Sequence, residues 1–221
     1  MTKLAIFDCD GTLVDSGATI HRALAETFEL HGIAIPPPGE SRKVIGLSLT
    51  QAMSALVPSA NDADHVRLAE TYKGCFHRVR QEGRVEEPLF DGILDLLDDL
   101  ESDGWLLAVA TGKSDRGLRL CLESHGLHAR FLSLQTADRH PSKPSPQMAL
   151  AAMADTGAAP ENTVVVGDTS FDMGMAAGAG AVGIGAGWGY HEPRELLAAG
   201  ARAVASSPAE VVEIAREAVN D

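Results

Sequence analysis

The sequence predicts an α/β protein: a Rossmann-like, doubly wound parallel sheet with an all-helical domain inserted after its first strand. Two observations carry this prediction. From Asp91 onward, short apolar runs of strand length alternate with segments of helical period, as in a parallel sheet with helices on both faces. Between Val14 and Arg84, by contrast, helical periodicity dominates and no strand is evident. A helical block directly after the first strand reads as a cap over the strand ends. The chain then divides into a core of residues 1–13 and 85–221 and a cap of residues 14–84.

The elements follow in order. Lys3–Phe7 is an apolar run ending in a polar turn, hence a buried strand. Ile20, Leu24 and Phe28 recur at helical spacing, and that helix ends near Gly32. Pro36-Pro37-Pro38-Gly39 reads as a rigid connector. A second helix is expected over residues 49–57, stopped by Pro58, and a third over 62–81, with Leu68, Tyr72, Phe76 and Val79 on one face. In the core, a helix over 93–100 leads to a strand at 105–110, then a helix over 114–124 and a short strand near 131–134. Ser145-Pro146 opens the next helix, with proline at the favoured first position. A strand at 163–166, a helix over 171–177 and a strand at 181–184 follow, and Ser207-Pro208-Ala209-Glu210 reads as a capping box for the last helix.

Bulk properties narrow the function. A chain of 221 residues buries a substantial core, and mean hydropathy near zero fits a globular protein in water. The net charge of −13 argues against a nucleic-acid partner, because a phosphate backbone is held by clustered Lys and Arg. It leaves a small anionic substrate open, since a divalent metal and local lysines invert the potential inside one cleft. Cys9, Cys75 and Cys121 are scattered, with no C-x-x-C, and read as reduced buried thiols of a cytoplasmic protein. No charged leader with a long apolar core is read at the start, and the uncharged stretch 173–191 is too rich in glycine for a membrane span. The pattern fits a monomer or a dimer alike.

Four short motifs punctuate the strands: Asp8-Cys9-Asp10-Gly11-Thr12, Thr111-Gly112-Lys113, Lys143-Pro144, and Gly167-Asp168-Thr169-Ser170-Phe171-Asp172. In an open parallel sheet the carboxyl ends of strands share one crevice, so carboxylates far apart in sequence become neighbours there. Clustered carboxylates call for a cation, and a divalent cation beside a carboxylate nucleophile suggests phosphoryl chemistry. Asp8 and Asp10 suit one carboxylate attacking phosphorus and a second protonating the leaving oxygen. D-x-D-G also begins Asx turns and calcium loops. A calcium loop needs Glu at its twelfth position, which from Asp8 is Thr19. Thr111, Gly112 and Lys113 combine a hydroxyl, a flexible backbone and helix N-terminal amides suited to phosphate. They are not a P-loop, because Leu107 stands where its first glycine belongs. Lys143, flanked by Pro141 and Pro144, is placed to balance a nucleophile and a phosphoryl group. Asp168 and Asp172 lie on one side of a helix's first turn, as metal ligands or as acids favouring the helix dipole.

Taken together, these motifs resemble the haloacid dehalogenase superfamily, in particular its phosphatases with a helical cap between the first and second motifs. The resemblance spans essentially the whole chain. Val14-Asp15-Ser16 and Gly187-Trp188-Gly189-Tyr190-His191 are similar to the phosphoglycolate phosphatase-like branch. It implies a phosphatase acting on a small phosphorylated metabolite, with Asp8 as nucleophile forming an aspartyl phosphate and Asp10 as general acid/base. It further implies Mg2+ held by Asp8, the Asp10 backbone carbonyl and Asp168, with Asp172 either a further ligand or an anchor behind the ligands. Thr111 and nearby amides would bind phosphoryl oxygens, and Lys143 would steady Asp8 and the phosphate. The presence of Asp10 argues against dehalogenation. A sugar-phosphate mutase is the enzymatic rival, although such mutases carry a His where this chain has Ile20. A catalytically silent phosphate-binding module is the non-enzymatic one, and it would have lost a core residue. In this architecture the cap selects the substrate, with His21, Arg22, Arg42, Lys43 and the Gly46-Leu47-Ser48 loop as candidate contacts.

Overall fold

The computed structural model describes residues 1–220. Its sheet consists of β1 (Lys3–Phe7), β2 (Trp105–Thr111), β3 (Phe131–Thr136), β4 (Thr163–Gly167), β5 (Val182–Ala186) and β6 (Ala203–Ala205), all parallel, in the order β3-β2-β1-β4-β5-β6. The period-two alternation of the strands explains the double winding. Ala5, Phe7, Leu107, Val109, Val164 and Val166 point to one face, and Leu4, Ile6, Ala108, Ala110 and Val165 to the other. The first face is covered by α5 (Ile93–Ser102), α6 (Asp115–Ser124) and α10 (Pro208–Asn220). The second is covered by α7 (Gln147–Thr156) and α8 (Ser170–Ala179). Strand order reverses at β1 and β4, so the crevice beyond their carboxyl ends is the topological switch point.

Between β1 and α5 the chain forms α1 (Gly17–Leu30), α2 (Pro38–Arg42), α3 (Leu49–Leu56) and α4 (Asp62–Gln81). Leu24, Phe28, Met53, Leu68, Tyr72 and Cys75 bury one another in a separate apolar cluster, so the insert carries its own small core. The chain leaves and re-enters the sheet side by side. Val14 bridges Leu89, and Thr19 Oγ1 donates to the carbonyl of Glu86 at 2.9 Å while accepting its N–H.

Several elements differ from expectation. The proline connector contains α2, because a proline at the first helical position is tolerated and even preorganised. Helix α9 (Pro193–Ala198) and β6 come where no element was read; both are short, and only Leu196 of α9 is buried. At the last helix, Glu210 accepts from the N–H and hydroxyl of Ser206 (2.8 and 2.6 Å), one residue before the Ser207 that the capping motif implied.

Candidate active site

All four motifs converge on the switch point. Asp8 follows β1, Thr111 ends β2, Lys143 lies in the loop before α7, and Asp168 follows β4. Carboxylate oxygens of Asp8, Asp168 and Asp172 lie within 4.8 Å of one another, and all three side chains are buried. Lys143 Nζ, itself fully buried, sits 2.6 Å from Asp172 Oδ1 and 2.9 Å from Asp8 Oδ2. The remaining oxygens are held in place. Asp168 accepts from Thr12 Oγ1 at 2.8 Å and from the Tyr190 N–H at 3.0 Å. Asp172 Oδ2 accepts from the hydroxyl of Thr169 at 2.7 Å and from its N–H at 3.1 Å. Thr169, not Asp168, is the N-cap of α8, and Asp172 completes its capping box.

Asp8 Oδ2 is the exception: buried, beside one ammonium, and accepting no aligned hydrogen bond. Three carboxylates against one lysine leave about two uncompensated negative charges in a dry crevice when all are ionised. The electrostatics register this imbalance. Burial above all pushes the Asp8 carboxyl up to about 7, against the lowering pull of Lys143. Burial and the neighbouring Asp8 also raise Asp168 well above the usual carboxylate range. Burial works against the Lys143 ammonium, but Asp172 and Asp8 win and raise its pKa. An all-oxygen donor set with surplus negative charge and an unsatisfied oxygen fits a hard divalent cation.

Asp10 occupies a different environment. Its Oδ1 accepts from the Ser16 hydroxyl and lies 2.9 Å from Lys113 Nζ, which is also 2.7 Å from Glu87 Oε1. Sequence reasoning placed Lys113 among the phosphate-binding groups; its ammonium instead links Asp10 to Glu87 on the segment leading back from the helical insert. No local signal marked Glu87, because this pairing spans 26 residues of chain. Thr111 is buried, and its Oγ1 accepts the Lys113 N–H at 3.3 Å. Cys9 packs away from the crevice into the first face of the sheet, its Sγ 3.9 Å from that of Cys121.

The insert closes over this floor. A Cβ on Gly112 would lie 2.6 Å from the Leu47 carbonyl oxygen and 2.8 Å from that of Gly46, so only glycine lets the two segments approach. The Ser48 N–H donates to Ser142 Oγ at 2.7 Å, next to Lys143. The aromatic segment after β5 braces both parts: Trp188 Nε1 donates to the Thr12 carbonyl at 3.0 Å, and Tyr190 joins Ser16 and Asp15.

Residues 5–186 match the family model described as haloacid dehalogenase-like hydrolase. The chain belongs to the haloacid dehalogenase-like hydrolases. It is 34% identical over 217 residues to "Probable phosphatase IndB" of Dickeya dadantii, covering 96% of this chain and 93% of that protein. It is 33% identical over 191 residues to "Tyrosine-protein kinase PtkA" of Mycobacterium tuberculosis, covering 85% of this chain and 63% of that protein. With a phosphoglycolate phosphatase of Agrobacterium fabrum it shares 29% identity over 196 residues, 86% of this chain and 82% of that one. The crystal structure of a hydrolase from Pseudomonas syringae superposes with a TM-score of 0.84 at 26% identity, covering 98% and 99% of the two chains. Among the described residues of this haloacid dehalogenase-like hydrolase, no helix is long and apolar enough to cross a membrane.

Proposed function

We propose that the protein is a Mg2+-dependent phosphatase that hydrolyses a small phosphate monoester through an aspartyl phosphate on Asp8. The observation that carries this reading is the buried trio Asp8, Asp168 and Asp172, whose surplus charge is met by Lys143 alone and whose Asp8 Oδ2 is unsatisfied. The phosphatase and phosphoglycolate phosphatase names of the relatives support it. Residues 14–84 act as the cap, and residues 1–13 and 85–221 as the catalytic core. The working compartment is the cytoplasm, where Cys9, Cys75 and Cys121 stay free thiols.

In this reading Asp8 Oδ2 attacks phosphorus while the bond to the ester oxygen breaks, and Asp10 donates its proton to that leaving oxygen. Asp10, now a base, takes a proton from water as the water oxygen attacks the aspartyl phosphate, which frees inorganic phosphate and regenerates Asp8. Lys113 and Ser16 position Asp10; Lys143 orients Asp8 and offsets charge on the phosphoryl oxygens. Thr111 and the backbone at Gly112 and Lys113 receive the phosphoryl group. Asp8, Asp168, Asp172 and the Asp10 carbonyl would hold Mg2+, which would supply positive charge to the phosphoryl group and offset the carboxylate cluster.

The test is initial-rate phosphate release, with Mg2+ or with a chelator, across 2-phosphoglycolate, pyrophosphate, sugar phosphates and nucleotides. Metal-dependent release is the expected result, and 2-phosphoglycolate is the first ester to try. Release that is equal in chelator, or absent throughout, sinks the proposal. A kinase of the sort named among the relatives would turn over only with a nucleotide donor and a tyrosine acceptor, so release from simple esters separates the two.

A further inference from the structure

A cavity lies between the helical insert and the sheet, with a volume of about 460 Å3, within the ~300–1,000 Å3 range of small-molecule sites. Its position relative to the carboxylates is asymmetric. Asp10 and Lys113 line its inner end, whereas Asp8, Asp168 and Asp172 do not. If Asp8 attacks and Asp10 protonates the departing oxygen, the departing alcohol projects from Asp10, and this cavity is where it goes.

Much of the wall is apolar. Ile20 and Leu24 of α1, Leu49 and Met53 of α3, and Tyr72 and Phe76 of α4 face the space, with the two aromatic ring centroids 5.9 Å apart and tilted by 40°. Of the four Lys and Arg side chains that border it, three are engaged and the fourth, Arg116 of α6, is exposed. Lys113 is shared by Asp10 and Glu87, Lys73 is 2.7 Å from Glu70, and Arg80 stacks on Phe76 with its guanidinium 5.6 Å from the ring centroid. An uncharged apolar alcohol would bury its surface against Phe76, Tyr72 and Leu49.

We infer that the substrate is a phosphate monoester whose alcohol part is predominantly apolar, with at least the bulk of an aromatic ring, seated in the cavity between the α1, α3 and α4 faces and Asp10. The inference rests on the phosphatase reading above and narrows it toward apolar esters. The experiment compares kcat/KM, in Mg2+, for 2-phenylethyl phosphate, ethyl phosphate and 2-phosphoglycolate. All three are esters of primary alcohols, so their leaving oxygens are similar and the differences report what the cavity accepts. Burial of one aryl group predicts at least a ~30-fold advantage for the phenylethyl ester over the ethyl ester, with 2-phosphoglycolate below the phenylethyl ester. Phe76→Ala should collapse the phenylethyl-to-ethyl ratio several-fold. A wild-type ratio near one, or a preference for 2-phosphoglycolate, overturns the inference and leaves the phosphatase standing. Absence of Mg2+-dependent release from all three, and from the wider panel, overturns both.

Discussion

The floor and the roof of the crevice are built on opposite principles. On the floor, Asp8, Asp168, Asp172 and Lys143 are charged, dry and fixed by directional bonds from Thr12, Thr169 and the Tyr190 backbone. On the roof, Leu49, Met53, Tyr72 and Phe76 make only non-directional contacts from helices that share a core of their own. The floor hangs on strand ends tied into six parallel strands; the roof meets it through a few contacts around Gly46, Gly112 and Ser48. A preorganised polar floor suits one transition state, because its dipoles need no reorganisation as charge develops. An apolar roof suits shape and hydrophobicity, which few residues can retune. Changes to the floor should therefore destroy the reaction, and changes to the roof should redirect it.

The sharpest break is Asp8→Asn. Removing the nucleophile should lower kcat by at least ~10^4-fold, with the metal-free thermal midpoint no lower than wild type because one of three crowded carboxylates is gone. Phosphate-release rates and calorimetric melting on the same preparation check both halves, and substantial turnover would refute the covalent route. Lys143→Met comes next. It leaves Asp8 and Asp172 buried without their countercharge, which should cost ~3–5 kcal/mol of metal-free stability. Denaturant unfolding measures the loss. Saturating Mg2+ should restore part of it, which a purely steric defect would not allow.

The floor was more legible than the roof, and for a physical reason. Strand-end motifs write Asp8, Lys143, Asp168 and Asp172 as local punctuation, and the rule that strand ends share a crevice brings them together. The ion pairs of Lys113 were not legible, because its partners, Asp10 and Glu87, come from two distant segments and nothing near Lys113 reveals that its ammonium is engaged. On the roof, Ile20, Leu24 and Phe76 fell correctly on helical apolar faces, but periodicity does not distinguish a face that packs from one that lines a cavity. Helices α2 and α9 and strand β6, all of six residues or fewer, are too short to show a period at all.

A pH titration of stability separates the charged floor from the rest of the fold. Burial lifts Asp8 from an unfolded value near 3.8 to about 7 and lifts Asp168 in the same direction. Native protein thus binds protons that the unfolded chain has released. Stability from this source is full below the unfolded value and is lost as pH rises toward 7, at up to ~1.4 kcal/mol per pH unit for each such proton. Lys143, raised above its already high value, contributes nothing to the change in this window. Metal-free protein should melt lower at pH 7 than at pH 5. In saturating Mg2+ this slope should flatten, because the cation holds the carboxylates ionised in the folded state as they already are in the unfolded one. Parallel slopes with and without Mg2+ would mean that the cluster does not hold the metal.

The mildest test falls where the two regions touch. Gly46 has φ of +97°, a left-handed conformation open to glycine, and a Cβ there would stand 3.4 Å from Thr169 Oγ1 and 3.7 Å from Asp8 Oδ2. Those distances are ordinary contacts, so the penalty of Gly46→Ala is a backbone penalty of ~1–2 kcal/mol. It falls on the loop that seats the roof, and neither the sheet nor the separate core of the insert depends on it. The expected result is a several-fold higher KM for every ester, with a thermal midpoint lowered by only a few degrees and the order of substrate preference kept. A changed preference order would place Gly46 in selection itself, and an unchanged KM would mean that closure of the roof is not needed for binding.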